Sequence, residues 1–133
     1  MRRRERASVI YGIGIDVIEP ARIERLLVKY GERFAHRVLT PVEWPGYLKT
    51  VRPALFLANR FAAKEAFSKA IGTGFRYPVT LQCISVVQDR AGKPGFAFHP
   101  KLEDLVKSRG IIGHHLTISD ENSLACACVV LET

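Results

Sequence analysis

Two carboxylates stand out by their surroundings. Asp16 closes the run Gly12-Ile13-Gly14-Ile15-Asp16, and Glu65 lies inside Arg60-Phe61-Ala62-Ala63-Lys64-Glu65-Ala66-Phe67-Ser68-Lys69. Two carboxylates with few other protein ligands suit Mg²⁺, which keeps several waters and fills its shell with substrate phosphate oxygens. Cations on the same segment would neutralise those phosphates. The plainer reading of Glu65 is a surface ion pair with Lys69 at i, i+4, worth about 0.3–0.5 kcal/mol, and on residue types alone it is the better one.

Other chemistries find little support. Gly12-Ile13-Gly14 lacks the further glycine of a dinucleotide fingerprint, since Val17 stands in its place, and no Gly-Lys-Ser/Thr follows. The four histidines are not at metal-ligand spacing, and the adjacent His114 and His115 point to opposite faces of any strand. No serine sits in a nucleophile-elbow context. Cys83, Cys126 and Cys128 read as small core residues in a reducing cytosol.

The elements that must position these groups follow from periodicity. Val9, Tyr11, Ile13, Ile15 and Val17 alternate along a strand, with Gly12, Gly14 and Asp16 on its opposite, bare face. Either a ligand or a tightly packed second element can approach such a face. Pro20 opens a helix that Gly31 ends. Ile23, Leu26, Leu27 and Tyr30 form its core stripe, while Arg22, Arg25 and Lys29 project together on another side. Thr40-Pro41-Val42-Glu43 reads as a capping box, which makes Glu43 structural. A long helix over about 54–71 carries the small stripe Ala62, Ala63, Ala66, Phe67, Ala70, suited to lying close on a sheet, with Gly72 as a left-handed cap. A strand at 79–87, a turn at 89–94 and a partner at 95–99 come next. Then come a short helix from Pro100, with Leu102, Leu105 and Val106 inward, and strands at 114–120 and 124–132. The order β-α-α-α-β-β-α-β-β predicts an α+β fold, one compact domain with a largely antiparallel sheet and helices packed on one face.

The chain has 133 residues and a formal charge of +7, which suits one domain with acidic or phosphate-bearing partners. No apolar run approaches the ~20 residues of a membrane-spanning helix. Residues 1–8 are expected to be a frayed basic extension, and residues 9–133 the domain. Basicity alone would also admit a nucleic-acid-binding module, but no such motif and no exposed stacking pattern accompanies it.

The segments YGIGIDVIEPARIE, RFAHRVLTPVEW, RFAAKEAFSKAIGTGF and HLTISDENSLACACVV together resemble holo-acyl-carrier-protein synthase, the small bacterial type of 4′-phosphopantetheinyl transferase. The resemblance spans Tyr11 to Glu132. It implies an Mg²⁺-dependent transfer of 4′-phosphopantetheine from coenzyme A to a serine of an acidic apo acyl carrier protein, serving fatty acid synthesis in the cytoplasm. In that family's pattern Asp16 and Glu65 match the two Mg²⁺ ligands. Lys69 matches a lysine near the pyrophosphate, and Arg60 an arginine on a nucleotide phosphate. Lys64 belongs to the motif and is expected to orient coenzyme A, while His115 matches a histidine often found on the late strand. Arg22 matches the arginine that meets the carrier's acidic helix, with Arg25 and Lys29 beside it. Glu65, directly or through a water on the metal, is the candidate base. The resemblance also implies homotrimers with active sites between subunits. Asp120 departs from the histidine that some members carry there, and residues 1–8 precede the family's usual start.

Overall fold

A computed structural model describes residues 7–121 and 123–133, so the Met1–Arg6 part of the basic extension lies outside it. In chain order the elements are β1 (Ile10–Ile18), α1 (Pro20–Tyr30), α2 (Glu32–Val38), α3 (Trp44–Lys49), α4 (Pro53–Ile71), β2 (Ile84–Gln88), β3 (Pro94–Phe98), α5 (Pro100–Ser108), β4 (Gly113–Glu121) and β5 (Leu124–Glu132). The fold is α+β and its sheets are antiparallel, as predicted. There are two of them: β1-β5-β4, and the hairpin β2-β3.

Several details differ from the sequence reading. Gly31 ends α1 but, at φ 63°, also swings the chain into α2, a helix that periodicity did not separate. Residues 81–83 form a 3₁₀ turn instead of the start of a strand. There the Gln82 side-chain amide donates to the carbonyls of His36, Arg37 and Leu39, tying the end of α2 to this turn. Cys83 is buried as expected, but Cys126 and Cys128 are only half-buried. They lie on the outer face of β5, opposite Val17 and Ile15.

The orientation of β1 decides the architecture. Its glycine face, not its apolar face, points inward. A Cβ on Gly12 would lie 1.9 Å from the Ala70 carbonyl oxygen, and one on Gly14 would lie 1.8 Å from that of Ala66. The small stripe of α4 thus meets the bare strip of β1 backbone against backbone. Ala62, Ala66 and Ala70 are buried there with Ala125, Ala127 and Val129 of β5. The tightly packed element, rather than a ligand, occupies the bare face. The apolar side of β1 is consequently exposed, with Ile13, Ile15 and Val17 at 60%, 56% and 54%. On α1, Ile23 is buried, while Tyr30 is exposed and Leu26 and Leu27 are half-buried.

Gly14→Ala is expected to be far more damaging than an ordinary strand substitution. The added methyl cannot be accommodated without lifting α4 off β1, so a loss of about 3 kcal/mol or more should appear in denaturant unfolding. A variant within 1 kcal/mol of the parent would contradict this packing.

Candidate active site

Packing of α4 on β1 brings three of the sequence-selected residues together. Asp16 lies on the inward face of β1, two residues beyond Gly14, where α4 no longer covers it completely. The Lys69 ammonium donates to the Asp16 carboxylate at 3.2 Å and to the Ile15 carbonyl at 3.0 Å. Lys69 remains half-exposed, with 51% of its side chain accessible. The Glu65–Lys69 ion pair anticipated from i, i+4 spacing is absent among the described residues, because the lysine turns to β1 instead. Glu65 sits one turn earlier on α4. Partial burial, and then the negative charge of Asp16, push its carboxyl above the usual carboxylate range, while Lys69 draws it back. Two carboxylates that repel one another beside one ammonium form an oxygen-rich site. Its donors suit a hard cation, and its free edge is open to phosphate.

Arg60 is not part of this cluster. Glu65 and Arg60 are five residues apart, which on a helix is about 140° around the axis. The Arg60 guanidinium lies over the Phe56 ring, 3.6 Å from its centroid, with Nε 3.4 Å from Glu43 Oε2. Burial lowers its pKa and Glu43 opposes that shift.

Lys64 needs a correction. Its side chain is fully enclosed, and it donates to Glu43 Oε1 at 2.6 Å, the Val38 carbonyl at 2.6 Å and the Leu81 carbonyl at 3.0 Å. An ammonium has three protons, and all three are used. Lys64 therefore fastens α4 to the chain around it and has no donor left for coenzyme A. Desolvation lowers its pKa, with Glu43 pulling it back up.

The capping-box reading of Glu43 is half right. Its carboxylate does accept from Thr40 N at 3.0 Å, but the Thr40 hydroxyl pairs with Ser85 Oγ at 2.6 Å instead of capping a helix. His115 lies on the outer face of β4, with Nε2 2.7 Å from Glu132 Oε1, away from Asp16 and Glu65. His114 faces the other way, against Phe96 and Phe98. Asp120 accepts a hydrogen bond from the Asn59 amide at 2.9 Å, which joins β4 to α4.

Arg22, Arg25 and Lys29 are all exposed along α1, as the helical spacing predicted. The sequence reading missed the feature beside them. A groove of about 450 Å³ opens between α1, α2 and α4, with Leu26, Tyr30, Phe34 and Phe61 in its walls and Arg33 and Arg37 at its edge. The available signal was the Arg-Phe-x-x-Arg spacing of residues 33–37, which puts both arginines on one side of α2 once that helix is recognised.

A short, two-sheet α+β domain with paired carboxylates beside a lysine matches a known group of transferases. Residues 12–129 fit the model of the 4′-phosphopantetheinyl transferase superfamily, and the chain belongs to that family as an enzyme. It is 62% identical over 124 residues to a holo-[acyl-carrier-protein] synthase of Nitrosospira multiformis, covering 93% of this chain and 99% of that one. The crystal structure of the holo-[acyl-carrier-protein] synthase from Neisseria meningitidis superposes with a TM-score of 0.91 at 44% identity, over 94% of this chain and all of that one. The Bacillus anthracis synthase, solved in complex with coenzyme A (3′,5′-ADP), gives 0.76 at 42% identity, covering 93% and 97%.

Proposed function

We propose that this enzyme transfers 4′-phosphopantetheine from coenzyme A to a serine hydroxyl of an apo acyl carrier protein, for fatty acid synthesis in the cytoplasm. The observation that carries the reading is the grouping of Asp16, Glu65 and Lys69 at the β1–α4 junction, in a chain so similar to a holo-[acyl-carrier-protein] synthase. Asp16 and Glu65 are the residues that would hold Mg²⁺. Both are carboxylates on rigid elements, and their mutual repulsion is what a divalent cation relieves. When bound, Mg²⁺ supplies charge neutralisation across the pyrophosphate.

The chain's own groups supply the remaining chemistry. Lys69, half-exposed on a flexible stem, reaches from Asp16 to a phosphate oxygen and stabilises charge that builds on the leaving side. The carrier's serine oxygen attacks the β-phosphorus of coenzyme A. The bond from that phosphorus to the bridging oxygen breaks, and adenosine 3′,5′-bisphosphate leaves. The serine proton passes to Glu65, the carboxylate placed beside Asp16 at the site. The nucleophile belongs to the partner, in keeping with the lack of a nucleophile motif in this chain.

Two surfaces complete the reading. The basic stripe of Arg22, Arg25 and Lys29, continuous with the groove edged by Arg33 and Arg37, suits an acidic helix that also inserts an apolar side chain. The exposed Ile13, Ile15 and Val17 face suits a second copy of the chain, and a homotrimer would cover it. Because Arg60 and Asp16 lie on different sides of α4, assembly also allows one coenzyme A to meet residues from two subunits.

Mass spectrometry of an apo carrier protein incubated with the enzyme, coenzyme A and Mg²⁺ should reveal a serine-linked phosphopantetheine. Asp16→Asn and Glu65→Gln should each abolish it with unchanged melting curves, and near-normal turnover by either would sink the assignment. Arg22→Glu should raise KM for the carrier about tenfold, or about 1.4 kcal/mol, while leaving coenzyme A binding intact. A loss confined to coenzyme A affinity would instead move Arg22 to the nucleotide side. Sedimentation should find a trimer that Ile15→Glu dissociates into inactive monomers, and a fully active monomer would refute assembly as a requirement.

A further inference from the structure

Glu43 is sealed from solvent, with 0% of its side chain exposed. Its Oε1 accepts from Thr40 N at 3.0 Å and from Lys64 Nζ at 2.6 Å. Its Oε2 accepts from Val86 N at 3.2 Å and faces Arg60 Nε at 3.4 Å. One carboxylate therefore answers two cations, and the pair plus one carries a net positive charge. Lys64 cannot express that charge outward, because its three protons are bound to protein oxygens. Arg60 can. Its side chain keeps 15% exposure, and no hydrogen bond among the described residues engages its terminal nitrogens.

The guanidinium is also held in plane and in direction. Phe56 lies against its face at 3.6 Å from the ring centroid, and Glu43 attracts the Nε edge inward. At 3.4 Å the Nε contact is electrostatic more than a well-aligned hydrogen bond. It decides which edge faces in, and Phe56 decides the plane. The two terminal amino groups are left without a protein acceptor among the described residues, and such a pair can grip a phosphate with two parallel hydrogen bonds.

We propose that Glu43 is a positioning residue, which presets Arg60 for a phosphate of coenzyme A by holding its Nε edge against the core. The proposal rests on the reading of Arg60 as a phosphate contact. A side chain ordered before the ligand arrives spends less of the binding free energy on being ordered. Glu43 is thus joined to the nucleotide without touching it.

The test separates the two ideas. Glu43→Gln keeps the volume and removes the charge, and it should raise KM for coenzyme A about tenfold with KM for the carrier unchanged. On an Arg60→Ala background the same change should add nothing, because it acts through Arg60. Glu43→Gln alone strands the Lys64 ammonium, so the comparison is repeated with Lys64→Met, where the buried site is neutral. In the unaltered protein the Arg60 Nε–H proton resonance should exchange slowly with water, and coenzyme A should perturb the terminal N–H resonances more than this one. A folded Glu43→Gln variant with unchanged coenzyme A KM overturns the proposal, as does an equal loss on the Arg60→Ala background. Should neither Gln variant fold, an Nε–H that exchanges as fast as an exposed arginine overturns it, and slow exchange supports it. If Arg60→Ala itself leaves coenzyme A KM unchanged, the reading of Arg60 as a phosphate contact is what falls.

Discussion

The structure depends on a close approach between two main chains. With Cβ positions at Gly12 and Gly14 less than 2 Å from the carbonyl oxygens of Ala70 and Ala66, β1 and α4 meet at a separation that only glycine on one side and alanine on the other allow. Protein interiors are close-packed, so neither element can slide without opening a void or forcing a clash. That fixed separation sets where Asp16 stands relative to Glu65 and Lys69. A lysine one turn along the helix reaches a carboxylate on the strand at 3.2 Å because nothing larger than a hydrogen atom intervenes at the glycines.

The opposite side of α4 is fixed by different means. There the fastening is ionic and buried, through Lys64 and Glu43, with acceptors contributed by Val38 and Leu81. A buried pair of this kind is costly to desolvate and is weak evidence of net stability. What it provides here is direction, since carbonyls from two chain segments and one carboxylate must all converge on a single ammonium. A helix held by shape on one side and by directed polar bonds on the other has little freedom to rotate. An enzyme that must align two substrates depends on groups held in advance.

How much of this was legible in the sequence differs by residue. The strand, the long helix and its Gly72 cap, and the exposed basic stripe of α1 follow from local periodicity and capping, and the structure has them. The helix α2 was hidden because seven residues give too few turns for a period to register. The pattern of β1 leaves open what covers its glycine face, and that of β5 reads Cys126 and Cys128 as core, for one shared reason. An apolar strand face signals burial, but a single chain's pattern does not say whether its own helices or another copy will bury it. Lys64 and Glu65 illustrate the same limit from the other side. Adjacent in sequence, they point about 100° apart, so one is sealed in the core and the other stands at the site edge. Which is which depends on where β1 and the Glu43 turn lie, and both are far away in the chain.

The charge balance also has a spatial sense that a net value of +7 conceals. The Asp16–Glu65 site is locally acidic, whereas Arg60 and the α1–α2 surface are locally basic. In the proposed reading the pyrophosphate of coenzyme A meets the carboxylate site, while its other phosphate and an acidic carrier helix are left to the basic surfaces. The basic surfaces can draw in acidic substrates without discharging the carboxylates. Lys69, alone among the cations described at the site, lies close enough to Asp16 to serve both regions. Its side chain is half in water while that of Asp16 keeps only 16% exposure, so in the proposed reading the lysine is the mobile partner that can exchange the carboxylate for a phosphate oxygen.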